Sequence, residues 1–320
     1  MELITVTQHY KFINIICKTR FGNIYSAFSL KDGQYLSVLK TPKSIKNDKD
    51  LFKCFQDERD LISEISHPSV SVFIENFEDE ENFYTITDSF DGISLQSEIS
   101  CRGSMTEDRA RRIGKQIIDG LVYLHANNIA HCGISPDSIL IKTFNGKEFV
   151  RLDNLNNIMR NGRTEAIKGI LCPKSWAPPE AIKGDVCYGV QLDDWAAGLA
   201  IYFMLNGEIP WSKVSDSALY KVITTGTLQK PERMTTTSFS LVEKMLNPNP
   251  VRRFSSMQAQ PHFWFVQNDR EMPKMSHTFF ASSPVIKTQK SCSSIDLLNP
   301  PSSPKPTLTP SGIVPPIFFE

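Results

Sequence analysis

Residues 123–141, YLHANNIAHCGISPDSILI, join the end of a helix to the start of a strand through a polar loop. The helix is predicted over 106–127, where Thr106 can cap the N-terminus and two acidic residues follow in the first turn, as the helix dipole favours. Its apolar residues share one face: Ala110, Ile113, Ile117, Leu121 and Leu124. Beyond the loop, SILIK and EFVRLDN flank an Asn-Gly turn at 145–146, the strongest short hairpin signal. The stretch therefore predicts an amphipathic helix, a loop and a β-hairpin, in that order.

The sequence before this helix is rich in strand signals. Residues 10–40 hold three strand-like runs with a Lys-Asp-Gly turn signal at 31–33, and 83–90 reads as a further strand. Residues 50–66 read as the helix of this region. We therefore expect a β-rich small lobe over residues 1–90.

The sequence after it, over 176–267, reads as helices broken by loops. Within this part, 195–205 is apolar nearly all round, which is typical of a buried central helix. We expect a helical large lobe over 91–267, so the predicted fold class is α+β with two lobes. The composition then changes, because residues 271–320 hold 9 of the chain's 20 prolines and 9 serines. Such a segment predicts a disordered C-terminal tail over 268–320.

The overall composition disfavours several classes of protein. Thirty-five basic and 35 acidic residues give a net charge of zero, unlike a polybasic nucleic-acid binder. The longest strongly apolar run has 11 residues, whereas a membrane helix needs ~17–25. The N-terminus lacks the features of a secretion signal, and the seven cysteines form no CxxC pair, so we expect ordinary thiols in a reducing compartment. These features predict a cytoplasmic protein with no nucleic-acid or membrane partner.

Six motifs and one late arginine resemble, in their order and spacing, those of a eukaryotic protein kinase domain over about residues 8–267. The similarity is to serine/threonine kinases, loosely to the calcium/calmodulin-dependent type. It implies a two-lobed kinase fold, with ATP and Mg²⁺ as the cofactors of an active member. The motifs are Ile16 with CKTRFGNIYSA at 17–27, SVLK at 37–40, Glu58 ten residues before Pro68, the opening stretch at 123–141, WAPPE at 176–180, LDDWAAG at 192–198, and Arg253 after LNPNPV.

The resemblance also indicates which catalytic positions differ from the family's pattern. The catalytic aspartate corresponds to Gly133, which has no side chain for proton chemistry. The lysine that meets the γ-phosphate corresponds to Ser135, and the threonine that usually contacts both corresponds to Pro173. Because these positions contact one another in the family, their joint loss implies that the chain has no catalytic residue.

The family's two metal-binding positions are weakened as well. The asparagine corresponds to Ser138, a shorter and poorer ligand. For the aspartate, strand periodicity favours Asn154, since apolar residues lie two and four places before it, whereas counting from Asp153 points Arg151 at the core. An amide oxygen ligates Mg²⁺ without neutralising it, so we expect no metal site, with Asp153 as the alternative ligand.

The nucleotide pocket implied by the resemblance is degraded. A GxGxxG loop needs its glycines so that backbone amides can approach phosphate closely, and here Cys17 and Thr19 hold the first two places. Val38 replaces a smaller alanine. We therefore expect the binding of ATP and Mg²⁺ to be weak or absent. The candidate pocket residues are Ile16, Gly22, Ile24, Val38, Lys40, Glu58, Asp88, Phe90 and Leu140.

Residues that maintain the fold in the family are matched here. Lys40 and Glu58 can form the strand–helix ion pair that orients phosphates in active kinases. Two more structural sets match: His131, Leu155, Ile62 and Asp193 for the internal spine, and Glu180 with Arg253 for a buried ion pair.

The chemistry positions fail while the architectural positions match, which favours a pseudokinase that acts as a protein-interaction or allosteric signalling module. Two alternatives stay open. One is an active, atypical serine/threonine kinase that transfers the γ-phosphate of ATP to protein hydroxyls. The other is a nucleotide-responsive switch without transfer. The sequence identifies no particular protein partner.

Overall fold

The computed structural model describes residues 9–160, 166–167, 172–225 and 228–266. Its first part is a five-stranded sheet of β1 (Tyr10–Lys18), β2 (Asn23–Ser29), β3 (Tyr35–Pro42), β4 (Phe73–Glu78) and β5 (Asn82–Asp88). The strands are antiparallel and lie in the order β1-β2-β3-β5-β4. The predicted β-rich small lobe is confirmed.

One helix, α1 (Lys49–Glu64), accompanies the sheet and follows a short 3₁₀ turn at Lys43–Asn47. Asp48 caps the helix, because its side chain accepts a hydrogen bond from the Leu51 amide at 3.0 Å. The face of α1 that is buried is apolar except for one carboxylate, Glu58. A buried carboxylate is costly unless it is paired, so the partner of Glu58 matters for the site below.

The rest of the described chain is mostly helical, with short strands between the helices. The helices are α2 (Leu95–Arg102), α3 (Glu107–Ala126), α4 (Pro179–Lys183), α5 (Gly189–Asn206), α6 (Asp216–Thr225), α7 (Thr236–Met245), α8 (Ser256–Ala259) and α9 (Phe263–Val266). The strands are β6 (Ile93–Ser94), β7 (Ile129–Ala130), β8 (Ile139–Phe144), β9 (Lys147–Leu152), β10 (Met159–Arg160), β11 (Ala166–Ile167) and β12 (Cys187–Tyr188).

Helices α3 and α5 pack on each other at the centre of the helical part. The Thr106 hydroxyl caps α3 as predicted, accepting a hydrogen bond from the Arg109 amide at 3.4 Å, and the five predicted apolar residues of this helix are all fully buried. Helix α5 is buried all along 192–205, because nearly all of its side chains are apolar. The core of the helical part therefore follows the hydrophobic pattern of the sequence.

The predicted hairpin after α3 is formed by β8 and β9. Asn145 and Gly146 make its turn with φ angles of 50° and 73°, the left-handed values that a two-residue hairpin turn requires. None of the helices in the described ranges combines the length and the apolarity needed to cross a bilayer. The predicted disordered tail, 268–320, lies outside the described residues.

Candidate functional site

The candidate site lies where three segments meet: the turn between β1 and β2, helix α1, and the loop at 131–138. The turn reaches the helix through an ion pair between Arg20 and Glu58. Burial lowers the pKa of Arg20, and the nearby Cys54 and Cys132 side chains oppose that shift. Since Cys132 belongs to the loop, Arg20 stands between the helix and the loop.

The β1–β2 turn is closed on itself by Thr19. The Thr19 hydroxyl accepts hydrogen bonds from the backbone amides of Phe21 and Gly22, both at 3.2 Å. It also donates to the Gly22 carbonyl at 3.1 Å, to which the Thr19 amide donates at 2.7 Å. The amides of Thr19, Phe21 and Gly22 are therefore already satisfied within the turn.

Gly22 is needed in this turn because the neighbouring strand passes very close. A β-carbon at Gly22 would lie 2.0 Å from the Lys40 carbonyl oxygen, far inside van der Waals contact. The surviving glycine of the motif is therefore explained by the packing of the turn on β3.

The expected ion pair between Lys40 and Glu58 was wrong, because Arg20 takes the carboxylate instead. Phe21, only 3% exposed, inserts beside α1 and packs edge-on against Phe55, with ring centroids 5.6 Å apart. Phe55 lies three residues before Glu58, on the same face of the helix, so this insertion carries the preceding arginine to the carboxylate. Lys40 makes no ion pair within the part of the chain that the structure describes.

Asp193 holds the backbone of the loop at 131–138. Its carboxylate accepts hydrogen bonds from the His131 and Cys132 amides, each at 2.8 Å. His131 donates from Nε2 to the Asp153 carbonyl at 3.0 Å, and its Nδ1 accepts from the Gly133 amide at 3.2 Å. Burial lowers the pKa of His131, which fits this neutral ring. These hydrogen bonds hold the loop in place. Because residue 133 is a glycine, the loop carries no carboxylate at that position.

The oxygens at the two metal positions are already engaged in hydrogen bonds. The Ser138 hydroxyl accepts from the Ser135 amide at 2.9 Å and donates to the Ser135 carbonyl at 3.1 Å. The Asn154 side-chain oxygen accepts from the Asn156 side-chain amide. Among the described residues, no three His, Cys, Asp or Glu side chains group as metal ligands. Neither of these two positions carries a carboxylate, the ligand on which Mg²⁺ sites ordinarily rely.

The neighbouring carboxylate, Asp153, points elsewhere in the cleft. It accepts a hydrogen bond from the Ser71 hydroxyl at 2.7 Å. Burial, and then the charge of Asp153, raises the pKa of the Cys17 thiol, so Asp153 faces the end of β1. Leu155 is buried in the same apolar cluster as Ile62. The Asp153 carboxylate is thus engaged with Ser71, and the register that gives Asn154 the metal position stays a prediction.

Asp88 and Phe90, two of the expected pocket residues, are occupied by Arg151. The Arg151 side chain is 2% exposed, pairs with the Asp88 carboxylate, and lies 5.0 Å from the centre of the Phe90 ring. Burial raises the pKa of Asp88, and the charge of Arg151 opposes that shift. The expectation that a charge at position 151 would not face the core was therefore wrong, because this pair neutralises and covers it.

The remaining pocket residues differ widely in exposure. Val38 is fully buried and packs with Leu36 and Ile86 in the apolar cluster of the sheet. Ile16 is exposed, whereas Ile24 and Leu140 are half-buried. One of the apolar residues expected to line the pocket for a nucleotide base, Val38, is thus part of the hydrophobic core of the sheet.

Glu180 and Arg253 form the buried ion pair that the resemblance implied. Two parallel hydrogen bonds, of 2.7 and 2.9 Å, join the guanidinium to the carboxylate. The Arg253 side chain also donates to the Gln191 carbonyl at 2.9 Å and lies 4.9 Å from the centre of the Trp195 ring. Arg253, which lies between α7 and α8, therefore bridges α4 and the start of α5.

Sequence reasoning missed Arg20, Phe21 and Ser71 as residues of the site, and treated Thr19 only as a lost glycine. One signal was present: an Arg-Phe pair in the turn faces a helix that carries two phenylalanines three residues apart, at 52 and 55. That pattern is weak without the three-dimensional course of the turn.

Comparisons with known proteins agree with this architecture. A family model described as the protein kinase domain matches residues 10–265. Calcium-dependent protein kinase 4 of Plasmodium berghei is 26% identical over 267 residues, which cover 82% of this chain and 50% of that protein. The carbon catabolite-derepressing protein kinase of Candida glabrata is 24% identical over 257 residues, covering 80% and 41%. NUAK family SNF1-like kinase 2 of Homo sapiens is 24% identical over 258 residues, covering 80% and 40%. The chain thus spans about half, or less, of the length of these curated relatives.

Proposed function

The chain belongs to the protein kinase domain family, and from that membership we propose that it is a pseudokinase, a kinase-shaped module that acts by binding protein partners or by allosteric signalling. One observation carries the proposal. The base position is Gly133, and the oxygens at both metal positions, on Ser138 and Asn154, are engaged in internal hydrogen bonds. These features support the absence of both the proton acceptor and the carboxylate-bound metal that phosphoryl transfer uses.

The rate contributions of the missing catalytic groups are large enough to support a turnover rate well below that of an active kinase. Positioning a general base is worth about 10²–10⁴ in rate, and electrostatic stabilisation of the developing charge is usually the largest single contribution. Kinases turn over at about 1–100 s⁻¹. Both contributions depend on side chains that this site lacks, so a rate in that range is not expected.

Weak or absent binding of ATP and Mg²⁺ is part of the same proposal. Two amides of the turn, those of Phe21 and Gly22, are bonded to the Thr19 hydroxyl, and Arg151 packs against Asp88 and Phe90, which an open pocket would leave free. A protein partner fits a chain of zero net charge better than a nucleic acid does. We place the protein in the cytoplasm, because the six cysteines within the described ranges are free thiols.

An active, atypical serine/threonine kinase is the second candidate. The observation in its favour is the half-buried carboxylate of Asp153, which lies in the cleft close to the end of β1. In that case Asp153 would supply the charge that Asn154 lacks. The relatives named above are all called kinases, and the experiment below separates the two candidates.

The test is a thermal-shift titration of the full chain with ATP, with and without Mg²⁺, beside an assay of γ-phosphate transfer to a generic protein substrate. We expect no transfer and no change in melting temperature at millimolar ATP. A ligand present at 100 times its Kd would add ~2.7 kcal/mol of stability, so binding would be visible. Stabilisation that depends on Mg²⁺, together with transfer, would support the active kinase; stabilisation without transfer would support a nucleotide-responsive switch.

A further inference from the structure

We infer that the β1–β2 turn is a latch that holds helix α1 in place without nucleotide. The latch consists of Arg20 and Phe21 on the turn and of Phe55 and Glu58 on the helix. The inference rests on the proposed function, since it explains how α1 is held beside a site that binds nucleotide weakly or not at all. Three observations support the inference: an ion pair, an aromatic contact, and contacts between this region and the helical part of the chain.

The ion pair of the latch is unequal in exposure. The Glu58 side chain is 7% exposed and the Arg20 side chain 41%. Within the described chain, Arg20 is the ion-pair partner of Glu58. If the ion pair opens, the Arg20 guanidinium can reach water while the Glu58 carboxylate stays buried. The free-energy cost of opening therefore comes from the unpaired carboxylate on α1. The helix therefore depends on the turn more than the turn depends on the helix.

The aromatic contact adds a second hold on the same helix. Phe21 belongs to a buried apolar cluster with Ile45, Phe55 and Phe83, which joins the turn, α1 and β5. Withdrawing the turn would expose this side chain to water and leave a cavity beside Phe55. Because Arg20 and Phe21 are adjacent in the chain, the ion pair and the aromatic contact open together.

A second contact, between side chains that are about half exposed, lies in the last turn of α1. Arg160 on β10 pairs with Glu64, in the last turn of the helix, at 2.7 Å. Near the other contact, Arg20 lies close to Cys132 of the loop at 131–138. Helix α1 thus makes two ion pairs with the elements around it, one through Glu58 and one through Glu64. Neither ion pair needs a bound ligand. The latch sets the position that a bound nucleotide and its lysine would otherwise set.

The test is hydrogen–deuterium exchange of the full chain, read at the amides of residues 49–64. We expect Arg20→Gln to speed exchange of these amides by about tenfold or more, because Glu58 is left buried without its partner. The matched control is Lys18→Gln, which removes one positive charge from the same hairpin. Lys18 is exposed and makes no ion pair with any described residue, so wild-type exchange is expected.

Two more variants decide between this latch and the strand lysine. Phe21→Ser should speed exchange of α1 as Arg20→Gln does, whereas Lys40→Met should leave it unchanged. Wild-type exchange in Arg20→Gln, or faster exchange in Lys40→Met alone, would overturn the latch. Either result would leave the proposed function standing. Conversely, phosphate transfer by the wild-type chain would refute the proposed function and leave the exchange results intact.

Discussion

Gly133 is the residue at which the missing chemistry can be tested most directly. A β-carbon at this position would lie 3.3 Å from the Asn157 side-chain nitrogen and 3.7 Å from His131 Nδ1. A β-carbon therefore fits after a shift of a few tenths of an ångström in the Asn157 side chain. Position 133 is buried, so the melting temperature of the variant must show that the fold accepts the carboxylate before its activity reports on chemistry.

We predict that Gly133→Asp does not create kinase activity. The new carboxylate would restore a proton acceptor, but Ser138 and Asn154 would still provide no charge for Mg²⁺. The measurement is transfer from Mg²⁺-ATP to a generic substrate, with the melting temperature as the control for folding. Transfer by the folded variant would mean that the metal site is more complete than these two side chains allow.

Single residues were also where sequence reasoning was most and least informative. The absence of a side chain at Gly133 is visible in the sequence and needs no structure. The partner of Glu58 was not visible, because Lys40 stands at the family's position while Arg20 reaches the carboxylate only through the course of the turn. The type of residue at each position can be read from a sequence, but which long side chains pair with each other depends on how the chain packs.

At the scale of elements, the ion pair between Arg253 and Glu180 holds α4 against the start of α5. The guanidinium is 1% and the carboxylate 7% exposed. We predict that Arg253→Met destabilises the protein by ~3–5 kcal/mol, because it leaves Glu180 buried and unpaired. The measurement is urea unfolding followed by circular dichroism.

The control for this prediction is the neighbouring arginine. Arg252 is exposed, so Arg252→Met should change stability by less than about 0.5 kcal/mol. The double variant Glu180→Leu/Arg253→Met should lose less than Arg253→Met alone, since no charge is then stranded. An equal loss of stability in Arg253→Met and in the double variant would contradict the view that the unpaired Glu180 carboxylate causes the destabilisation.

Elements with strong periodicity were predictable, and irregular ones were not. The α3 helix, the all-round apolar α5 and the Asn-Gly hairpin follow from local pattern and turn chemistry. The β1–β2 turn does not, because the Thr19 hydroxyl bonds and the insertion of Phe21 depend on β3 and α1, which are distant in the sequence. The burial of Arg151 was missed for the same reason.

At the scale of the whole molecule, a buried polar relay joins three helices of the helical part. His125 of α3 contacts Asp193 of α5 at 3.0 Å and Ser256 of α8 at 2.9 Å. The Ser256 amide donates to Asp194 at 2.6 Å. Burial raises the pKa of Asp194 to about 6, against the opposing effects of His125 and Ser256. The protonation of one side chain is therefore linked to the stability of the fold.

The sign of this linkage follows from the raised pKa. Between the ordinary aspartate value of 3.8 and about 6, the folded state binds a proton that the unfolded state has released. The contribution of Asp194 to stability is complete below 3.8 and is lost as the pH rises through about 6. We predict that Asp194→Asn removes this part of the pH dependence, because the amide does not titrate, while its oxygen can still accept from the Ser256 amide.

The measurement is the melting temperature of wild type and variant at steps from pH 3.5 to about 7.5, a span that brackets the window of this linkage. The difference between the two should favour wild type most at the acid end. Asp57→Asn, which changes an exposed residue of α1, is the control and should run parallel to wild type. A constant difference between Asp194→Asn and wild type across the whole range would refute the linkage.

The hydrogen bonds at Ser135, Ser138 and Asn154 also bear on how this chain can evolve. Replacing either metal-position residue with the family's ligand would first break an internal hydrogen bond, at a net cost of about 0.5–1.5 kcal/mol. No activity would be gained until the base and both ligands were present together. On the proposed function, a single substitution would therefore lower stability before any gain of activity, and a return to catalysis would need several substitutions together.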